Sequence, residues 1–199
     1  MKLKSLLTAA ALLAAAPALA AHKTTYLDLA PATPATIYEP AAPGPKAKVA
    51  MVTIHQTASY IGHSSCANMA ERGYVVLCAN NPWTNNQYGN DSLERFFPTI
   101  KAAVLRAKRI PGVEKIVLIG HSAAAPMMSY YQNVAQNGSR VCQGAEKLMP
   151  CDEALTRDLP AADGLVLLDP HLGDGFSTDR KSTRLNSSHV SESRMPSSA

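Results

Sequence analysis

Four short, nearly continuous apolar runs recur along the middle of the chain. They lie at residues 48–55, 74–79, 115–119 and 164–168, and the first has the sequence KVAMVTIH. A strand that is covered on both faces of a sheet is apolar at successive positions, whereas a strand with one wet face alternates. The runs therefore predict four buried, parallel strands. An extended lead-in rich in Ala, Pro and Thr precedes them and predicts an edge strand at Ala35–Tyr38.

Between these runs, the spacing of the apolar residues changes to that of a helix. Residues 63–72, 91–109 and 123–136 have this spacing, and Phe96 and Ile100 share one face of the second segment. Apolar strands that alternate with helices are typical of an α/β three-layer sandwich built on a mostly parallel sheet. We predict this fold class for the chain.

In such a sheet, functional side chains lie beyond the carboxyl ends of the strands. The polar residues that follow the predicted strands are therefore candidates for function: His55, Gln56, Thr57, Asn80, Asn81, Ser122 and Asp169. The loop after the second run also contains Trp83 and Tyr88, which are either substrate-facing aromatic residues or ordinary loop-packing residues.

Both ends of the chain differ from this middle part. Residues 1–20 combine two lysines, an apolar run too short to span a bilayer, and Ala-Leu-Ala before the predicted cleavage after Ala20. They predict a signal peptide, with an N-terminal core helix as the alternative. Residues 179–199 have no periodicity and resemble the in-frame translation of a short-read sequencing adapter. We expect them to be a non-native, disordered tail, so that residues 21–178 form the domain.

The basic charge of the chain comes from its two ends. The formal net charge is +4, of which Lys2 and Lys4 supply +2, and the tail, with four basic and two acidic residues, supplies another +2. The nearly neutral remainder gives no support for nucleic-acid binding, or for membrane binding after signal cleavage. No metal or nucleotide motif is present either, so we expect no cofactor.

The four cysteines are consistent with an exported protein, periplasmic or secreted, because disulfides persist in such compartments. Cys142 and Cys151 flank a short polar loop, and we expect them to form a disulfide. Cys66 and Cys78 are then the remaining pair. Four buried free thiols are the alternative.

The segment VLIGHSAAAP at residues 117–126 places one serine between small residues. A strand that turns at once into a helix exposes a nucleophile at the turn, and it requires small residues two places before and after it. Gly120 and Ala124 occupy these places around Ser122, and His121 takes the variable position. Ala123 N–H is then an oxyanion donor. The alternative is an ordinary turn in which Ser122 caps the helix.

The motifs IGHSAAA at this turn and TIHQTAS after the first run resemble those of the α/β-hydrolase superfamily, in particular its exported serine esterases and lipases. The resemblance covers about residues 48–170, or strands three to six of that fold. It implies that Thr57 N–H completes the oxyanion hole, with Gln56 as the alternative donor. It also implies the chain order of serine, acid and then histidine. Asp169 is the candidate acid, and His171, two residues later, is a loop histidine at the pocket mouth or the base.

The resemblance therefore implies a C-terminally truncated hydrolase domain that lacks the catalytic histidine and its acid, with an exposed apolar edge on its sheet. The leading hypothesis is a serine hydrolase that cleaves small-molecule carboxylic esters through an acyl-enzyme on Ser122, while the fragment itself is inactive. A non-catalytic hydrolase-like binding protein, and an acyltransferase or peptidase on the same scaffold, are the alternatives. The sequence does not set the oligomeric state.

Overall fold

The computed structural model describes residues 22–29, 33–81, 92–145 and 150–171, and a single mixed sheet organises them. The strand order is β1-β2-β4-β3-β5-β6. The strands are β1 (His22–Leu29), β2 (Thr33–Pro40), β3 (Val49–Ile54), β4 (Val75–Ala79), β5 (Lys115–His121) and β6 (Gly164–Leu168). The predicted signal peptide, Trp83, Tyr88 and the tail at residues 179–199 lie outside the described residues.

The four apolar runs form β3 to β6, which pair in parallel, so the predicted fold class is confirmed. The lead-in differs from the prediction. It forms the antiparallel hairpin β1–β2, and β2 lies inside the sheet because it also pairs with β4. The outermost strand, β1, was missed because most of its side chains are exposed or half-buried, so no apolar run marks it.

The described helices are α1 (Ser64–Glu71), α2 (Phe97–Lys108), α3 (Ala124–Asn137) and α4 (Glu153–Thr156). The helix predicted over residues 91–109 is divided, since a 3₁₀ turn at Leu93–Phe96 precedes α2. Pro98 explains this division, because a residue without an N–H fits only the first turn of an α-helix. The short α4 was not predicted; Asp152 caps it by accepting a hydrogen bond from Ala154 N–H at 2.8 Å.

The helices cover the two faces of the sheet unequally. Side chains such as Val52, Leu77 and Leu118 lie on the face that packs against α2 and α3 and form the main core. The opposite face is covered by the shorter α1, whose Cys66 and Ala70 form a second, smaller core with β2 and β4. Because α1 packs on β2 and β4, the neighbouring part of this face over β5 and β6 is less covered.

Two disulfides are present. Cys66–Cys78 joins α1 to β4, and Cys142–Cys151 closes the loop that precedes α4. All four cysteines are buried. Within the described ranges, no helix has the length and apolar character required to cross a bilayer.

Candidate active site

The turn between β5 and α3 holds Ser122 in an unusual backbone conformation. Its φ is +52°, in the left-handed region that non-glycine residues seldom adopt. Gly120 makes this turn sterically accessible, because a Cβ at that position would lie 2.7 Å from the Cα of Ala125. Ala124 is buried directly after the turn. Small residues are therefore required where the chain folds back on itself, and Ser122 is left at the apex.

The end of β6 fixes the backbone of Ser122. Ser122 N–H donates to Leu168 O at 3.0 Å, and Ser122 O accepts from His171 N–H at the same distance. Ala125 N–H also donates to Ser122 O, closing the first turn of α3. Asp169, which lies between the two contacts from β6, has a φ of +43°. Thus β5 and β6 are each followed by a residue at positive φ, Ser122 and Asp169, and both belong to the same turn region.

The loop after β3 is organised by the ring of His55. Its Nδ1 accepts hydrogen bonds from Ala58 N–H at 3.0 Å and from Thr57 N–H at 3.2 Å. This requires Nδ1 to be unprotonated, and burial, together with the nearby His121 and His63, lowers the pKa of His55. Asn81 supports the loop from β4, because its side-chain amide donates to the carbonyl oxygens of His55 and Gln56.

A stack of three rings joins this loop to the serine turn. Tyr60 lies between His55 and His63, with ring centroids at 5.3 Å and 4.4 Å and nearly parallel planes. Its hydroxyl contacts His121 Nδ1 at 2.5 Å. Burial raises the pKa of Tyr60, so the hydroxyl keeps its proton. No sequence motif indicated this cluster. The three stacked rings lie within residues 55–63, but His121, which completes the cluster, comes from the distant end of β5.

The candidate oxyanion donors differ in their present partners. In the described part of the chain, Ala123 N–H and Gln56 N–H have no hydrogen-bond partner, whereas Thr57 N–H is engaged by His55. For Thr57 N–H to hydrogen-bond an oxyanion, it would first have to break its bond to His55 Nδ1. Gln56 N–H has no such bond to break. Ala123 directly precedes α3, whose N-terminus favours negative charge.

The acid and base candidates do not form a triad with Ser122. His171 meets Ser122 through its backbone, and among the described residues no histidine side chain hydrogen-bonds the Ser122 hydroxyl. Asp169 lies at the end of β6 beside the serine turn, and its side chain is exposed. No cluster of three or more potential metal ligands was found over the described ranges.

Comparison with known proteins gives a match at the level of the fold. No family model and no curated protein sequence matches the chain. Among solved structures, brefeldin A esterase, a bacterial homologue of human hormone-sensitive lipase, matches 82% of this chain with a TM-score of 0.54 and 18% identity. The match covers 43% of the esterase, so the chain spans less than half of its length.

Two further matches are weaker. Acetyl xylan esterase 1 from Thermoanaerobacterium sp. covers 60% of this chain at 13% identity, with 46% of its own length and a TM-score of 0.44. Est1E from Butyrivibrio proteoclasticus covers 57% at 22% identity, with 45% of its own length and a TM-score of 0.40. The chain is similar to brefeldin A esterase in its fold. Together with the mixed sheet and the helices on both of its faces, this likeness shows that the described residues have an α/β-hydrolase fold.

Proposed function

We propose that the protein is a serine hydrolase that cleaves carboxylic esters through an acyl-enzyme on Ser122. The observation that carries this proposal is the conformation of Ser122, which is held at positive φ between a strand and a helix by a glycine that tolerates no side chain. Strain of this kind persists where function requires it. The fold shared with brefeldin A esterase supports an ester as the substrate.

In this mechanism, Ser122 Oγ attacks the acyl carbonyl of the ester while a general base takes its proton. Ala123 N–H and one N–H of the Gln56–Thr57 pair hold the negative charge on the carbonyl oxygen. The C–O bond of the ester breaks, and the alcohol leaves with the proton from the base. Water then attacks the acyl-enzyme by the same route, which releases the acid and restores Ser122.

We propose that the general base is a histidine outside the described residues. Four of the described histidines have different contacts. His22 lies on β1 with its ring against Tyr38, and His55 organises the loop after β3. His63 caps α1 and contacts Ser65, and His121 contacts Tyr60. His171 meets Ser122 only through its backbone in the hydrogen bonds of the turn.

We also propose that the protein is exported, which its two disulfides support.

The test is active-site labelling of the full gene product, obtained by reading the genomic sequence downstream of Thr178 and expressing what it encodes. A fluorophosphonate probe is expected to label the protein, and Ser122→Ala is expected to abolish labelling. Ser129→Ala, a serine substitution within α3, is the control and is expected to leave labelling unchanged. Labelling that survives Ser122→Ala would contradict the proposal.

The second candidate is a binding protein that uses the same fold without catalysis. It is favoured by the absence of a histidine partner for the Ser122 hydroxyl within the described residues. This candidate is supported over the hydrolase if the protein binds esters but is not labelled by the fluorophosphonate probe, and if the gene encodes no further histidine downstream of Thr178.

A further inference from the structure

The loop that follows β3 lies between the serine turn and the segment that follows β4. β3 pairs in parallel with both β4 and β5, so the segments after these three strands meet at one edge of the sheet. The ring of His55, in this loop, lies 6.4 Å from the ring of His121, which precedes Ser122. On the other side, Asn80 N–H donates to Pro34 O at 3.0 Å, which fixes the segment after β4 to β2. The sheet therefore holds the segment that supports the loop.

Asn81 contacts this loop through its side-chain amide. Its Nδ2 donates to His55 O at 3.3 Å and also to Gln56 O. An asparagine NH2 group has two hydrogens, so one group can serve two carbonyl oxygens. The partners also fix the orientation of the amide, because carbonyl oxygens only accept and the NH2 end must therefore face them. Asn81 and Gln56 are 9% and 8% exposed, so water does not readily replace these bonds.

The two carbonyls belong to the peptide groups that carry the candidate oxyanion donors of this loop. His55 O shares its peptide with Gln56 N–H, and Gln56 O shares its peptide with Thr57 N–H. A peptide group is planar and almost always trans, so its C=O and its N–H point in opposite directions. A hydrogen bond to each carbonyl therefore fixes the direction of each N–H. It also keeps the negative ends of both peptide dipoles on the Asn81 side of the loop.

The two fixed N–H groups differ in what they meet. Thr57 N–H is directed at His55 Nδ1, at 3.2 Å, whereas Gln56 N–H has no hydrogen-bond partner within the described ranges. A donor that is held in one direction and is unpaired can receive a developing negative charge without reorganisation, which is the property that makes an oxyanion site effective. Of the two, Gln56 N–H is therefore the donor that the loop leaves ready.

We propose that Asn81 is a positioning residue of the oxyanion site, and that its amide aligns the two peptides so that Gln56 N–H, together with Ala123 N–H, receives the negative charge of the acyl oxygen. The inference rests on the proposed function, because it names a support for that reaction. In this role Asn81 acts through the backbone of the loop rather than by contact with the ester. Loss of the alignment weakens the binding of the transition state and leaves the binding of the uncharged ester unchanged.

Asn80 provides a matched comparison, because it contacts the same loop with the opposite chemistry. Its Oδ1 accepts from Tyr60 N–H at 2.8 Å and lies 3.1 Å from the Ser59 hydroxyl, which donates to it. An aspartate at position 80 retains the accepting oxygen. At position 81, the same change replaces the donor by an oxygen that faces two carbonyl oxygens. The two substitutions thus add the same charge one residue apart, and only the second removes a donor.

The test uses the full gene product and the kinetics of fluorophosphonate labelling, separated into the dissociation constant of the probe and the maximal rate at saturation. In labelling, the bond from Ser122 Oγ to phosphorus forms, fluoride leaves and the base takes the proton, while negative charge develops on the phosphoryl oxygen. Asn81→Asp and the uncharged Asn81→Ala are expected to lower the maximal rate at least about tenfold and to leave the dissociation constant unchanged. Asn80→Asp is expected to lower the rate far less.

The outcomes separate this inference from the proposed function. If the native protein is labelled at Ser122 and Asn81→Asp keeps its maximal rate, or if Asn81→Asp and Asn80→Asp lose equally, the inference is overturned and the hydrolase stands. A native protein that is never labelled overturns both. If both Asn81 variants fail to fold, NMR couplings across the hydrogen bonds of the native protein decide. Couplings from Asn81 Nδ2 to the carbonyl carbons of His55 and Gln56 are expected, and the absence of either would overturn the inference.

Discussion

Gly120 and Ser122 show how one residue sets the conformation of another two places away. Ser122 has a positive φ, and in this turn Ala125 Cα lies only 2.7 Å from where a Cβ of residue 120 would be, so the turn requires glycine at that position. The constraint is local, which is why the spacing of small residues around the serine already indicated it. The tertiary structure adds the contacts from Leu168 and His171 that hold Ser122 in place.

Gly120→Ala is expected to destabilise the protein by about 2 kcal/mol, because the added methyl group collides with backbone atoms that cannot move away. Urea denaturation followed by circular dichroism measures the change. Gly164→Ala in β6 is the control, since its Cβ would lie 3.6 Å from a side-chain atom of Val117, an ordinary contact. Similar losses of stability in the two variants would contradict this explanation of the turn.

His55 makes the stability of the protein depend on pH. Its pKa in the folded state lies below the ordinary value of 6.5, first because of burial and then because of His121 and His63. The unfolded chain therefore takes up a proton at a higher pH than the folded protein does. The contribution is complete above about pH 6.5 and is lost as the pH falls through the folded pKa.

We expect the free energy of unfolding to decrease between about pH 7 and about pH 5, and to decrease less in His55→Asn. Asparagine offers an oxygen near the position of Nδ1, so it keeps an acceptor for the N–H groups of Thr57 and Ala58 without titrating. Urea midpoints measured across this range in both proteins provide the comparison. Parallel pH profiles would show that His55 does not contribute.

At the scale of the elements, β3 to β6 were predictable because each is buried on both faces and is therefore apolar at successive positions. The hairpin strand β1 was not predictable in this way, since its side chains are mostly exposed or half-buried and its position depends on pairing with β2. The helix predicted over residues 91–109 began too early. The prediction followed the long apolar periodicity and did not use Pro98, which places the first turn of α2 at Phe97.

The side chain of Gln132 links α3 to the segment that precedes β6 through two hydrogen bonds. It is buried, and its amide both donates to Ala162 O at 2.9 Å and accepts from Ala162 N–H at 3.1 Å. Ala162 is itself buried, so water does not readily replace these bonds. The pair therefore fixes where β6 begins, and hence where Leu168 meets Ser122.

Gln132→Met is expected to lower stability by about 2 kcal/mol, because it leaves two buried backbone groups of Ala162 without partners while preserving the volume of the side chain. Gln136→Met, the same substitution at an exposed position of α3, is the control and is expected to have little effect. Thermal unfolding measures both. Equal melting temperatures for the two variants would contradict the role of the Ala162 contacts.

At the scale of the whole molecule, β6 is an edge strand of the described sheet with exposed apolar side chains. Val166, Leu167 and Leu168 of β6 are 41%, 43% and 40% exposed, and in the described ranges β6 pairs only with β5. A strand with a free edge and exposed apolar side chains is a template for pairing with another chain. The apolar sheet edge anticipated from the sequence thus corresponds to β6.

The chain is therefore expected to self-associate through β6 as its concentration rises, and Leu167→Lys is expected to reduce this association. A lysine on an edge strand opposes pairing because its charge would have to be buried. Sedimentation velocity over a concentration series measures the effect. Leu105→Lys, at a leucine of α2 that is 37% exposed, is the control. If both substitutions reduce association equally, general apolar exposure rather than the edge is responsible.

The sequence by itself determined the fold class, the four central strands and the serine turn. These features are written in short segments, as continuous apolar runs or as small residues at fixed places around Ser122. The tertiary structure decided the pairing of β1 with β2 and the contact of Tyr60 with His121. Tyr60 and His121 meet although they are 61 residues apart in the sequence. Contacts of this kind depend on how distant segments pack, which no local pattern encodes.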